Sequence, residues 1–204
     1  KASDVQATSV DGTMAVVSVD GLTIYVSYFD ADTKFYTIQG GHGGFVSMNS
    51  DYTDGGNLLL TNSAKPRDNK GIWAFVSQST GKYKVYNYST GLSKVLGITG
   101  TEANARATMV KDGTEGYSTL FSGDLKFNGD ASYVKIDGGN HWWNKRGDFL
   151  ALWNTGSVTG DTGSKFFFTE VNPEDYPDTY YYEVQNITGV TEFAPKNPNT
   201  LWYK

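Results

Sequence analysis

The sequence predicts an all-β fold made of three consecutive units of four short strands each. The first observation is a recurring opener: Phe35-Tyr-Thr-Ile38-Gln39, Tyr83-Lys-Val-Tyr86-Asn87 and Tyr133-Val-Lys-Ile136-Asp137 start 48 and then 50 residues apart. The second is a recurring closer, GIWAF ending at Phe75, YSTLF at Phe121 and SKFFF at Phe168, spaced by 46 and 47 residues. A period of this length marks internal repetition, in which each unit buries its apolar face against its neighbours. The third is composition: 24 Gly against 5 Pro, with 15% aromatic residues, suits many tight turns between short half-buried strands.

The elements follow in order. Met14 to Asp20 and Leu22 to Phe29 read as a hairpin turning at Asp20-Gly21, because aspartate before glycine tolerates the positive φ values of a two-residue turn. Asp30-Ala-Asp32-Thr33 is a polar turn. Its two carboxylates are calcium-type ligands, but a calcium site draws on six or more oxygens, so the ordinary turn is the expectation. In the first unit the opener is followed by Gly40-Gly-His42-Gly-Gly44. The next run is a strand and not a helix, so this cluster lacks the dipole of a phosphate cradle and reads as a β-turn. The inner runs are Phe45 to Met48 and Leu58 to Leu60 in the first unit, then Val95 to Ile98 and Ala107 to Val110 in the second.

The third unit is the clearest, with strands expected at Tyr133 to Asp137, Trp142 to Asn144, Phe149 to Asn154 and Lys165 to Val171. Beyond it, Asn172 to Pro177 carries two prolines and reads as a linker or extended arm. Thr179 to Asn186, TYYYEVQN, is strongly strand-forming and needs a partner. The leading hairpin is the expected one, giving a small additional flanking β-sheet from the N- and C-terminal segments. The chain thus divides into an N-terminal hairpin flank (1–33), the repeat region (34–171) and a C-terminal linker and strand flank (172–204). Asn87-Tyr-Ser89 and Asn186-Ile-Thr188 match the N-glycosylation sequon, relevant only in a host that glycosylates.

Charge and composition narrow the function. A formal net charge of -5 disfavours nucleic acid and membrane surfaces as main partners, since both reward clustered Lys and Arg. The absence of Cys removes disulfides, thiolate metal sites and a thiol nucleophile together, and no apolar run is long enough to insert in a membrane as a helix. With only His42 and His141, no Gly-x-Ser-x-Gly elbow and no His-Glu-x-x-His, no catalytic residue, metal or cofactor is expected.

Three units that open on an aromatic strand and close on an aromatic one after a glycine-rich loop resemble a β-trefoil, and the likeness is to the ricin B-type lectin superfamily over residues 34–171. The resemblance implies six strands closed into a small barrel capped by three hairpins, with Trp73 or Phe75, Leu120 or Phe121, and Phe166 or Phe168 meeting near the axis. It also implies a shallow sugar pocket in each unit, built from an early Asp, an aromatic platform and a closing Gln-x-Trp motif. Here the closers are Gly71-x-Trp73, Tyr117-x-Thr119 and Ser164-x-Phe166, so the glutamine is missing throughout. Only the third unit keeps the remaining parts, with Asp137 as early carboxylate and Trp153 and Asn154 as platform and amide.

The residues themselves point to the same place. A pyranose stacks its C–H face on an indole and exchanges hydroxyl hydration for side-chain hydrogen bonds. Asp137, Trp142, Trp143, Asn144, Arg146, Trp153 and Asn154 bring three of the five tryptophans among such groups within 18 residues. Each tryptophan alone is equally a bulky barrel filler, His141 a turn residue and Arg146 a solvated cation. Strand alternation sends Trp142 and Trp143 to opposite faces, so one of the two serves a surface. The expected function is a non-catalytic, lectin-like carbohydrate-binding module with a glycan as partner, in a bacterial protein that is extracellular, cell-surface or periplasmic. A structural or protein-interaction domain is the alternative. A second likeness offers another: Thr200-Leu-Trp-Tyr-Lys204 resembles the opening of the N-terminal domain of the inverting α-fucosidase family, which would make the chain an accessory region of a larger glycoside hydrolase with further domains in the same polypeptide.

Overall fold

The computed structural model describes residues 6–9, 14–19, 22–27, 29–30, 32–48, 59–61, 66, 68–176 and 183–184. Three strands come first: β1 (Gln6–Ser9), β2 (Met14–Val19) and β3 (Leu22–Ser27). The first unit contributes β4 (Phe35–Gly40), β5 (Phe45–Ser47), β6 (Leu59–Thr61) and β7 (Ile72–Ser79). The second gives β8 (Lys82–Asn87), β9 (Val95–Thr99), β10 (Ala107–Val110), the two-residue β11 (Tyr117–Ser118) and β12 (Phe121–Asp124). The third gives β13 (Ala131–Ile136), β14 (Trp142–Arg146), β15 (Phe149–Trp153) and β16 (Phe166–Val171), and β17 (Glu183–Val184) follows.

Six of these strands close a ring. β4 pairs with β7 (Tyr36 opposite Trp73), β7 with β8 (Phe75 opposite Val85), and β8 with β12 (Tyr83 opposite Phe121). β12 then pairs with β13 (Phe121 opposite Ile136), β13 with β16 (Ser132 opposite Phe166), and β16 returns to β4 (Phe168 opposite Ile38). All six contacts are antiparallel. The inner strands form hairpins on this barrel: β5 with β6, β9 with β10, and β14 with β15. Phe149 also pairs with Leu59, and Arg106 with Ala151, so the third hairpin touches the other two. This is a trefoil-like, all-β architecture.

Period-two alternation explains why these strands hold the ring. In β13, Val134 and Ile136 point into the lumen. Trp73 is the second residue of β7 and Phe166 the first of β16, and all four side chains are buried. One end of the lumen is filled by rings in mutual contact, Phe75 against Phe168 with centroids 4.7 Å apart and Phe127 against Tyr36 at 5.0 Å. Sequence reading missed Phe127, which sits in a polar turn rather than a strand. Trp73 also reaches outside its strand, its indole N–H donating to the Val46 carbonyl at 2.8 Å, which ties β7 to the first hairpin.

The flanks form a separate four-stranded sheet in the order β1-β2-β3-β17. Val19 stands opposite Leu22, leaving two residues between the strands, the expected Asp20-Gly21 turn, which lies outside the described residues. Glu183 pairs with Tyr25 and Val184 with Ile24. The polar segment QATS was not read as a strand, yet its register on β2 runs from Gln6 opposite Ser18 to Ser9 opposite Ala15. Asn172 does not begin an extended arm. It caps a 3-10 turn at Pro173–Asp175, accepting from the Glu174 N–H at 3.2 Å, because proline at the first turn position needs no backbone donor. The Gly40 to Gly44 cluster closes a turn, Gly43 N–H donating to Gly40 O at 2.8 Å. Leu58, Asn186 and Thr200 to Lys204 fall outside the described residues.

Gly123 marks where the ring tolerates no side chain: its φ is +140°, and a Cβ there would overlap the Tyr133 carbonyl oxygen across the β12–β13 pair. Gly123→Ala should destabilise the fold by more than about 1 kcal/mol, read as a lowered denaturation midpoint with an unchanged slope.

Candidate functional site

The β14–β15 hairpin carries most of the residues expected to bind. Its register sets Trp142 opposite Trp153, Trp143 opposite Leu152, Asn144 opposite Ala151 and Arg146 opposite Phe149. Trp142, Trp153, Arg146 and Phe149 therefore share one face, while Trp143, Leu150 and Leu152 share the other. The second face is core. Trp143 is fully buried, its ring edge-on to Phe121 at 5.1 Å and to Phe166 at 5.8 Å. Trp143 is thus removed from the expected ligand set, because the register that buries Leu150 and Leu152 buries it as well.

Asn144 is removed for a different reason. Although it lies on the outer face, the 3-10 turn Thr162–Ser164 packs over it. Its amide donates to Asp161 Oδ2 at 2.8 Å and to Ser164 Oγ at 2.9 Å. Ser164 Oγ in turn donates to Asp161 Oδ2 at 3.0 Å, and the other oxygen, Oδ1, accepts from the Gly163 N–H at 2.9 Å. A buried network of this kind rigidifies the joint between hairpin and closing strand and engages both N–H donors of the amide. Asp68 plays a parallel part 93 residues earlier, accepting from the Lys70 N–H at 2.9 Å at the 3-10 turn before β7. An aspartate five positions ahead of Trp73 and of Phe166 was the signal available in the sequence.

Asp137 is also engaged. Its carboxylate accepts from the Lys82 ammonium at 2.7 Å, and its side chain is only 22% exposed. That hydrogen bond holds its pKa below the usual 3.8; a hydrogen bond from Ser122 and the charges of Lys82 and Lys135 add to the lowering, against a smaller opposing effect of desolvation. Asp137 is therefore a strap between β8 and the end of β13. Asn154 adopts positive φ (53°), and its side-chain oxygen accepts from the Gly156 N–H at 3.0 Å, the local bond that lets asparagine take this conformation.

What remains open is an aromatic and cationic surface. Trp153 is 36% exposed, the one exposed large hydrophobic residue among those described, and Trp142 is half-buried beside it. The Arg146 guanidinium lies 3.7 Å above the Trp153 ring, with Nε donating to Asn104 Oδ1 at 3.0 Å. Lys135 Nζ stands 5.2 Å from the Trp142 ring, and Arg106 lies 3.9 Å above Phe149. These cation contacts were not legible in the sequence, since Arg106 and Lys135 come from other strands or loops.

A concavity of about 350 Å³ opens elsewhere, at the barrel end, where Asp32 and Lys34 rim a floor of Tyr36, Phe75, Tyr83 and Phe127. Burial, and then the Glu170 carboxylate, raise the Tyr36 pKa, so this phenol stays protonated. Lys34 on its rim is paired with Glu170 at 3.0 Å. Among the described residues no group of three or more His, Cys, Asp or Glu is placed to hold a metal ion, and no helix is long and apolar enough to cross a membrane. Asn87 of the first sequon is wholly buried, donating to the Lys70 carbonyl at 2.7 Å and accepting from the Ser89 N–H at 3.0 Å.

No protein-family model matches this chain, and neither does any curated protein. Among solved structures it is similar to the crystal structure of a designed 3-fold symmetric protein, ThreeFoil, with a TM-score of 0.54 and 14% identity over 67% of this chain and 99% of that one. At that identity the likeness shows the fold alone.

The Lys82–Asp137 strap has a definite pH signature. Because the folded carboxyl titrates below its unfolded value, its contribution is complete above pH 3.8 and is lost as pH falls through the lower folded value. The stability difference between wild type and Asp137→Asn should therefore stay constant at neutral pH and shrink on acidification, as followed by denaturant titration at stepped pH.

Proposed function

We propose that this chain is a non-catalytic carbohydrate-binding domain, a trefoil of three repeats related to the ricin B-type lectins, whose ligand lies on the outer face of the β14–β15 hairpin. The observation that carries the reading is the placement of Trp142 directly opposite Trp153 in register on a surface-facing hairpin, with Trp153 left 36% exposed. Folding drives indoles inward, so a pair kept at a surface on well-packed strands fits a stacking platform for the apolar face of a sugar ring. The polar partners are Arg146, Asn104 and Asn154, in place of the buried Asn144 and the strapped Asp137. The ligand is a glycan met outside the cell or at its surface.

Stacking contributes about 1 to 2 kcal/mol, and a few solvent-exposed hydrogen bonds add about 1 kcal/mol each. One such site binds near the millimolar range, so useful retention rests on repeated ligands or on neighbouring modules. A glycan array followed by calorimetric titration of the best responder tests the reading. Trp142→Ala and Trp153→Ala should each weaken binding roughly five- to thirtyfold, the first by loss of a stacking contact and the second by loss of the ring that seats Arg146, while leaving the thermal midpoint nearly unchanged. Weakening by Tyr83→Ala instead would move the ligand to the barrel-end concavity. An array without responders would overturn the proposal in favour of a structural or protein-interaction domain.

A further inference from the structure

The outward-facing aromatics of the hairpin are not bare. Arg146 covers Trp153 at 3.7 Å, Arg106 covers Phe149 at 3.9 Å, and Lys135 stands over Trp142 at 5.2 Å. Among the described residues, none of these three cations lies within ion-pair distance of a carboxylate. The nearby acids are otherwise placed: Asp137 is bound to Lys82, Asp161 is spent on Asn144 and Ser164, and Asp148 sits in the hairpin turn. A chain of formal charge -5 thus sets three cations, none of them ion-paired with a carboxylate among the described residues, over the aromatic rings of this face, with the Lys135 charge also felt by Asp137.

Resting on the carbohydrate-binding reading above, we propose that this face selects acidic glycans, those whose sugar rings bear a carboxylate or sulfate. A guanidinium stacked on an indole uses its face and leaves its edge free. With Nε of Arg146 committed to Asn104, the two terminal amino groups remain, and together they match the paired oxygens of a carboxylate or sulfate. An acidic sugar therefore binds without lifting Arg146 from Trp153, with Lys135 beside Trp142 as a second cation for its anionic group. A neutral sugar seeking the same Trp153 face must first displace the guanidinium and gains no ionic contact in return. The selection is a matter of what each ligand has to disrupt as much as of what it gains.

An array of matched pairs tests this, with hexuronate, sialylated and sulfated oligosaccharides each beside its neutral parent, and a single-stranded oligothymidylate included. The expected result is at least roughly tenfold tighter binding of one acidic member than of its parent at low salt, a preference that shrinks as salt is raised. Arg146→Ala should abolish that preference by weakening the acidic ligand far more than its neutral parent, while Arg146→Lys should retain only part of it. Equal binding of acidic and neutral members by the wild type overturns acid selection and leaves the carbohydrate reading standing. Failure of every glycan to bind overturns both. Tighter binding of the oligothymidylate than of any acidic glycan overturns acid selection in favour of nucleic acid.

Discussion

Closing the six-strand ring is the constraint from which the rest of this molecule follows. A closed barrel has no unpaired strand edge, but its lumen is narrow and must be filled by whatever the six strands point inward. Trp73, Phe121, Phe166 and Phe168 supply that volume with no exposed surface, and Phe75 and Phe127 plug one end. The thinnest seam is between β8 and β12, joined through the single residue pair of Tyr83 and Phe121. That seam is reinforced from outside by the Lys82–Asp137 ion pair, which links β8 to the strand following β12.

The hairpins inherit their orientation from this ring. Trp143 is pulled into the core between Phe121 and Phe166, and alternation along a regular strand then forces Trp142 outward. On the opposite strand Leu150 and Leu152 go in, and Trp153 comes out. The aromatic surface is therefore a by-product of core register as well as a platform. Cations on β13, on the loop before β10 and on β14 itself lie over its rings.

Much of this architecture was legible in the sequence because strand patterning is local. Most of the expected runs fall on observed strands, Ala107 to Val110 to the residue, while the run Tyr117 to Phe121 is split between β11 and the first residue of β12. The opposition of Trp142 and Trp143 was legible as well, though not which of them faced out, since that depends on Phe121 and Phe166 from other strands. The candidate site was legible only in outline. Asn144 and Asp137 have the chemistry of sugar ligands, and both are claimed by partners 17 and 55 residues away in the chain. Such claims are fixed by tertiary proximity, which no local pattern encodes. The same holds for Arg106 over Phe149, while β1 was missed because QATS lacks the apolar alternation by which strands announce themselves.

Asn87 bears on how the protein can be made. Its amide is buried and bonded on both sides, and the sequon Asn87-Tyr-Ser89 is intact. In a eukaryotic secretory pathway, oligosaccharide is transferred to sequons while the chain is still unfolded, before burial can protect this one. A bulky polar group attached there has no room between β8 and the Lys70 carbonyl, so the modified chains would be shut out of the native barrel. Yield from such a host would divide into an unmodified, folded fraction and a glycosylated, misfolded one, whereas a host without that machinery would give the folded form alone.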